Sequence, residues 1–113
     1  MIMCSWRRPL FAASAVALAL AVLSGTPAAA APHTYTIVID KMKYGPLPAN
    51  LHKGDAIIWA NRDFIQHSAT AADHSFDLNL PAGKAGKIVL TKTGSIPFVC
   101  RYHPGMRGVL VVK

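Results

Sequence analysis

Hydrophobic and polar positions alternate over short stretches of the chain after residue 31, and this pattern predicts β-strands. In residues 34–40, Tyr35, Ile37 and Ile39 fall on one face, as expected of a strand with one buried side. Residues 56–61 form a nearly continuous apolar run, which is typical of a buried strand. The other predicted strands are 68–72 (a short polar strand or loop), 87–91, 96–100 and 108–113. No segment after residue 31 has a helical periodicity, so the chain is predicted to be all-β, as an antiparallel sandwich or barrel.

Glycine and proline separate these strands and indicate where the ladders are interrupted. Gly54 lies in a tight turn ahead of 56–61 and is expected to have a positive φ. Pro46 and Pro48 remove two ladder donors, so the segment that contains them is expected to be irregular. Pro97 falls inside a predicted strand, which predicts an edge position or a bulge there.

The first 30 residues have a different pattern, that of a secretory signal peptide. Two arginines precede an apolar run over residues 10–23, and the alanines at 28–30 supply the small side chains of a cleavage site. The run is shorter than the roughly 20 apolar residues that a membrane span needs, so no stable membrane insertion is expected. We predict a signal peptide over 1–30, cleaved after Ala30, export to the periplasm, and one mature domain over 31–113.

The charge of the chain restricts the class of partner. The sequence contains 12 Lys and Arg against five acidic residues, a formal net charge of +7. Without Arg7 and Arg8, ten basic residues remain against five acidic ones, a net charge of +5. This excess favours a protein partner with an acidic docking surface. Nucleic acid is not expected, because the basic residues are scattered rather than clustered.

The number of cysteines limits how the proposed mature domain can be stabilised. Cys4 would leave with the signal peptide, so Cys100 would be the only cysteine of an exported domain of 83 residues. No internal disulfide could then form, and a lone thiol in an oxidising compartment should be buried, reactive, paired with another chain, or bound to metal. A domain this small often needs an additional stabilising element such as a disulfide or a metal, and the sequence favours a bound metal.

Three candidate metal ligands recur at intervals of three residues: Cys100, His103 and Met106. Thiolate, imidazole and thioether form a soft to borderline donor set that suits copper in either oxidation state. A fourth ligand must come from elsewhere in the chain. His67, which follows the buried strand 56–61 across a short loop, is the best candidate, and His74 is its competitor.

The spacing Cys100-x-x-His103-x-x-Met106, the Pro104 after the second histidine and the Trp59-Ala60-Asn61-Arg62 segment ahead of His67 resemble the cupredoxins, the type 1 blue copper proteins. The chain most resembles the amicyanin-like/plastocyanin-like branch of that family, and the short interval between His103 and Met106 is similar to that of its amicyanin-like members, since plastocyanins have a longer interval. The resemblance implies a Greek-key β-sandwich that holds one copper ion at one end. It also implies that the two histidines are imidazole ligands, that Cys100 is the short thiolate ligand and that Met106 is the long axial one. By the same resemblance, the backbone amide of Ser68 should donate to the Cys100 sulfur.

A site with four protein ligands leaves no open position for a substrate, so an electron carrier is predicted rather than an enzyme. The resemblance implies that electrons leave through the exposed edge of His103, inside an apolar patch that includes Pro104 and Gly105. Arg101 and the scattered lysines are expected to steer acidic redox partners to a monomeric protein. The alternative is a periplasmic copper carrier or scavenger that delivers copper to a client, which the extra histidines mildly favour: His33, His52 and His74.

Overall fold

A computed structural model describes residues 12, 14–21, 25 and 31–113 of this protein. Within these ranges the chain forms eight strands and no helix. The strands are β1 Thr34–Asp40, β2 Lys43–Tyr44, β3 Ala56–Asn61, β4 His67–Ala71, β5 Asp77–Leu80, β6 Ala85–Val89, β7 Gly94–Cys100 and β8 His103–Val112. The predicted signal peptide falls mostly outside the described residues and stays a prediction. No helix in the described part of the chain has the length and apolar character to cross a membrane.

The strands form two four-stranded sheets, in the orders β2-β1-β3-β6 and β5-β4-β7-β8. The predicted all-β sandwich is therefore confirmed. One pair differs from the antiparallel expectation, because β1 and β3 run parallel, with Thr34 opposite Ala56 and Ile39 opposite Asn61. Parallel neighbours need a crossover of a dozen or more residues. Residues 41–55, which include β2, provide it.

Strand bounds agree with the sequence where the hydrophobic pattern is long. β1 and β3 have the predicted limits, and Gly54 has the expected positive φ of 96°. β5 was not predicted, and β8 begins at His103 rather than at residue 108. Pro97 lies in regular register with Val109, so no bulge falls at Pro97 itself; the register shift falls between Val99 and Cys100. The ladder with β4 includes only Phe98 and Val99 of β7, so at Pro97 the strand has no ladder partner on that side, as at an edge.

An aromatic cluster fills the space between the two sheets. The ring of Phe98 lies 4.9 Å from Tyr44, 5.1 Å from Trp59 and 6.5 Å from Phe76, measured between centroids. Trp59 and Phe98 are fully buried, which confirms Trp59 as a core residue. Because Phe98 precedes Cys100 by two residues, both side chains point inward from β7. The core therefore continues directly into the candidate metal ligand.

Gly108 lies where the Phe98 ring comes closest to β8. A Cβ on Gly108 would lie 2.6 Å from Phe98 Cζ and 3.0 Å from Cε1. The ring is fully buried in a close-packed interior and has no free space to move into. Gly108→Ala should therefore lower the free energy of unfolding by about 1–3 kcal/mol, measured by urea denaturation of the metal-free protein. Gly105→Ala is the matched control, since a Cβ there meets nothing within 4 Å. Equal losses in the two variants would rule out the Phe98 contact as the cause.

Candidate metal centre

The ends of three strands bring the predicted ligands to one end of the sandwich. His67 is the first residue of β4, Cys100 the last of β7 and His103 the first of β8. Cys100 and His103 face each other across the two-residue turn between β7 and β8, next to the register shift after Val99. A bulge of this kind redirects a side chain at a strand end. Met106 lies three residues further along β8, and its side chain is buried in the core.

The ligand atoms of His67, Cys100 and His103 all lie within 4.8 Å of one another. The two imidazole rings are 5.0 Å apart between centroids, and Cys100 Sγ lies 3.7 Å from His67 Nδ1. His67 and Cys100 are buried, whereas His103 is half-buried. His103 Nε2 lies 3.3 Å from the carbonyl oxygen of Gln66, so its Nδ1 remains available to a metal. The site is thus buried on the side of His67 and Cys100 and reaches the surface through His103.

Ser68 connects β4 to Cys100 and to the turn that follows it. Its amide donates to Cys100 Sγ at 3.3 Å, as the resemblance implied, and its Oγ accepts from the Arg101 amide at 2.8 Å. Its carbonyl oxygen accepts from the Tyr44 hydroxyl at 2.6 Å. Burial raises the pKa of Tyr44, and the negative charge of a Cys100 thiolate adds a smaller contribution, so the phenol stays protonated and can donate. No feature of the sequence pattern indicated this role of Tyr44.

A model of the cupredoxin-like domain family matches residues 11–112 of the chain. This chain is a member of the cupredoxin family. No curated protein sequence matches it. Among solved structures, a reduced Cu(I) form of a proline-to-glycine amicyanin mutant is 28% identical, with a TM-score of 0.61 over 71% of this chain and 82% of that one. An oxidised proline-to-alanine amicyanin mutant is 27% identical, with a TM-score of 0.60 over the same shares. Amicyanin from Paracoccus versutus, at 24% identity and a TM-score of 0.61 over 71% and 81%, shares the fold.

Three of the four predicted ligands of this cupredoxin, His67, Cys100 and His103, bring their donor atoms together. The donor set fits copper, because a buried thiolate and two imidazoles converge and a thioether lies on the adjoining strand. The other histidines are elsewhere. His74 is exposed in a turn at a φ of 63°, outside the cluster that contains His67. His33 and His52 donate their amides to Asp55 at the far end of β3.

Arg101 and Tyr102 form the turn between the Cys100 and His103 ligands of the cupredoxin site. The Arg101 guanidinium bonds Asp77 Oδ2 at 2.9 Å and Asn79 Oδ1 at 2.6 Å. The Tyr102 hydroxyl donates to the same Asn79 oxygen at 2.9 Å. These bonds attach the ligand turn to β5, a strand that the sequence did not predict. Arg101 also forms an ion pair with Asp77 while 42% of its side chain stays exposed, and its predicted role in steering a partner stays a prediction.

Asp63 is a further residue of the site, and the sequence did not indicate it. Asp63 Oδ2 lies 2.6 Å from His67 Nε2, on the side of the ring that faces away from Cys100. The amide of Met42 and the imidazole of His67 hydrogen-bond the carboxylate and hold the pKa of Asp63 below its usual range. The signal available in the sequence was an acidic residue four positions before a candidate ligand, which is too common to indicate a contact.

Proposed function

We propose that this cupredoxin binds one copper ion through His67, Cys100, His103 and Met106 and carries single electrons between redox proteins. The observation that carries the proposal is the convergence of one buried cysteine and two histidines within 4.8 Å at one end of the sandwich. Bound copper would supply one-electron chemistry by alternating between Cu(II) and Cu(I). Amicyanins of the same fold have been solved in oxidised and reduced Cu(I) forms, which supports the same chemistry here.

The protein's own residues support a rigid site for an electron carrier. His67 and Cys100 are fixed at strand ends, and Ser68 holds the sulfur and the following turn through separate bonds. Such a framework limits the rearrangement that accompanies a change of oxidation state. A four-ligand protein site leaves no position for a substrate, which supports a carrier rather than an enzyme.

The half-buried edge of His103 is the proposed point of electron entry and exit. Three exposed apolar side chains, Met42, Phe64 and Ile65, belong to the two segments whose backbone contacts Asp63 and His103. We propose that this surface receives the partner, and the net charge of the proposed mature domain supports an acidic partner surface. Export to the periplasm, removal of residues 1–30 and a monomeric state belong to the same proposal, on the sequence pattern alone.

The experiment that tests the proposal is a visible absorption spectrum of the exported protein after addition of Cu(II). We expect an intense blue thiolate-to-copper charge-transfer band, which Cys100→Ser should abolish because serine supplies no thiolate. Cyclic voltammetry should then show a reversible one-electron couple. A colourless protein that still binds copper would contradict the electron-carrier proposal and favour the copper-carrier alternative. A blue band that survives in Cys100→Ser would refute Cys100 as the ligand.

A further inference from the structure

Asp63 lies between a candidate copper ligand and a strained turn. Its Oδ1 accepts from the Lys41 amide at 2.7 Å, and its Oδ2 accepts from the Met42 amide at 3.0 Å. The same Oδ2 lies 2.6 Å from Nε2 of His67, whose side chain is fully buried. Only 14% of the Asp63 side chain is exposed. One carboxylate therefore serves three donors close to the site.

The contact with Asp63 determines which nitrogen of His67 can bind a metal. An ionised carboxylate only accepts hydrogen bonds, so His67 Nε2 must carry the proton that it shares with Asp63. In the neutral ring, Nδ1 then has the free lone pair, and Nδ1 is the nitrogen that faces Cys100 Sγ at 3.7 Å. The carboxylate thus selects the tautomer that a metal beside Cys100 requires.

The position of Asp63 is itself fixed from both sides. The buried side chain of Asn61, at the end of β3, accepts from the Asp63 amide at 2.9 Å and donates to the carbonyl oxygen of Leu80 at 2.9 Å. On the other side, Lys41 and Met42 have left-handed φ values of 52° and 63°, which non-glycine residues rarely adopt. The two amides of this turn bond the carboxylate, so Asp63 cannot rotate away from His67 without releasing the turn.

We propose that Asp63 is a positioning residue of the copper site, which orients His67 and favours Cu(II) over Cu(I) through its negative charge. The inference rests on the proposed copper-binding function and deepens it. A fixed carboxylate on the far side of the ring raises the basicity of the ligand nitrogen. Its charge also stabilises the more positive oxidation state, and in a partly buried setting solvent screens that effect less than at the surface.

The test compares the reduction potentials of the full-length wild-type protein and Asp63→Asn, both loaded with copper. Loss of a hydrogen-bonded partner of a ligand typically weakens metal binding by about 10–100-fold. If Asp63→Asn weakens Cu(II) binding by about tenfold relative to Cu(I), the potential should rise by about 59 mV. Affinities for Cu(II) and for Cu(I), measured by competition with chelators, should show the same difference between the two ions.

Two further variants separate charge from structure. Asp73→Asn also removes one carboxylate, but Asp73 bonds only Ser75 and Lys92 in an exposed turn beyond the other end of β4, so the potential of this variant should stay at the wild-type value. Asp63→Glu keeps the charge and should lie nearer to wild type than Asp63→Asn. Equal weakening of both copper ions by Asp63→Asn, with an unmoved potential, would reduce Asp63 to a structural role and overturn the inference.

A measurement on the wild-type protein keeps the inference testable if the Asp63 variants fail to fold. Nitrogen-15 NMR of the diamagnetic Cu(I) form should show a proton on Nε2 of His67 and none on Nδ1. A proton on Nδ1 would overturn the inference while copper binding stands. A wild-type protein that binds no copper would instead overturn the proposed function, and this inference with it.

Discussion

Cu(I) should raise the thermal unfolding midpoint of this cupredoxin by roughly 15–30 °C, and His67→Ala should remove most of that increase. A ligand at about 1,000 times its dissociation constant stabilises the folded state by about 4 kcal/mol. For a domain of 60–100 residues, each kcal/mol shifts the midpoint by about 4–8 °C. Differential scanning calorimetry under anaerobic conditions, with and without Cu(I), measures the shift while the thiol stays reduced.

His67 is the informative ligand because it alone is distant in sequence from the others. Cys100, His103 and Met106 lie within one short segment, so they can bind copper weakly in the unfolded chain as well. Binding through His67 requires β4 and β7 to be in place, and copper can therefore stabilise the fold only if this ligand takes part. Without His67, folded and unfolded chains should differ little in copper affinity.

His33→Ala provides the matched control for His67→Ala. His33 is exposed at the end of the sandwich away from the site, and its hydrogen bonds to Asp55 and Ala56 are made by its backbone, which alanine keeps. The His33→Ala protein should keep the full copper-dependent shift. A shift that persists in His67→Ala, or that is lost equally in His33→Ala, would contradict the assignment of His67.

Sequence alone predicted the local part of the site because that part is encoded by spacing. Cys100, His103 and Met106 are separated by three residues each, and their donor atoms already indicate copper. The choice between His67 and His74 needed the loop after β3 as additional information. In the structure, His67 is the first residue of β4, beside β7, and its ligand atom lies within 4.8 Å of those of Cys100 and His103.

The contacts that support the ligands could not be predicted, because they join residues far apart in the chain. The Tyr44 hydroxyl reaches the Ser68 carbonyl across 24 positions, and the Arg101 side chain reaches Asp77 across 24. Neither pair has a sequence spacing that would indicate a contact. Asp63 is close to His67 in sequence, but its acceptance of two amides from the turn between β1 and β2 depends on the parallel pairing of β1 and β3.

The errors in strand prediction have local causes. β5 contains only four residues, and of these only Leu80 is fully buried, so its pattern was too short to detect. Pro104 and Gly105 suggested a loop, although both lie in β8 once Cys100 and His103 are paired. The result is a ligand turn of two residues, which is tighter than the sequence suggested.

Phe98→Ala should lower the free energy of unfolding of the metal-free protein by about 3–5 kcal/mol, one of the largest effects of any core substitution. The Phe98 ring packs against three other aromatic rings and against Gly108, so its removal leaves a cavity that rigid neighbours cannot fill. A small domain has a total stability of about 5–15 kcal/mol, and such a loss would leave part of the population unfolded. Urea denaturation of the metal-free protein measures the loss.

Val99→Ala is the control, because Val99 is the next residue of β7 and points outward with 36% of its surface exposed. It removes two methyl groups from the same strand and should cost less than about 1 kcal/mol. Copper should restore much of the folded population of Phe98→Ala, since the ligands bind only when β4 and β7 are paired. Equal losses in Phe98→Ala and Val99→Ala would contradict a core centred on Phe98. A Phe98→Ala protein that binds copper without any rise in its folded population would contradict this coupling between the metal site and the fold.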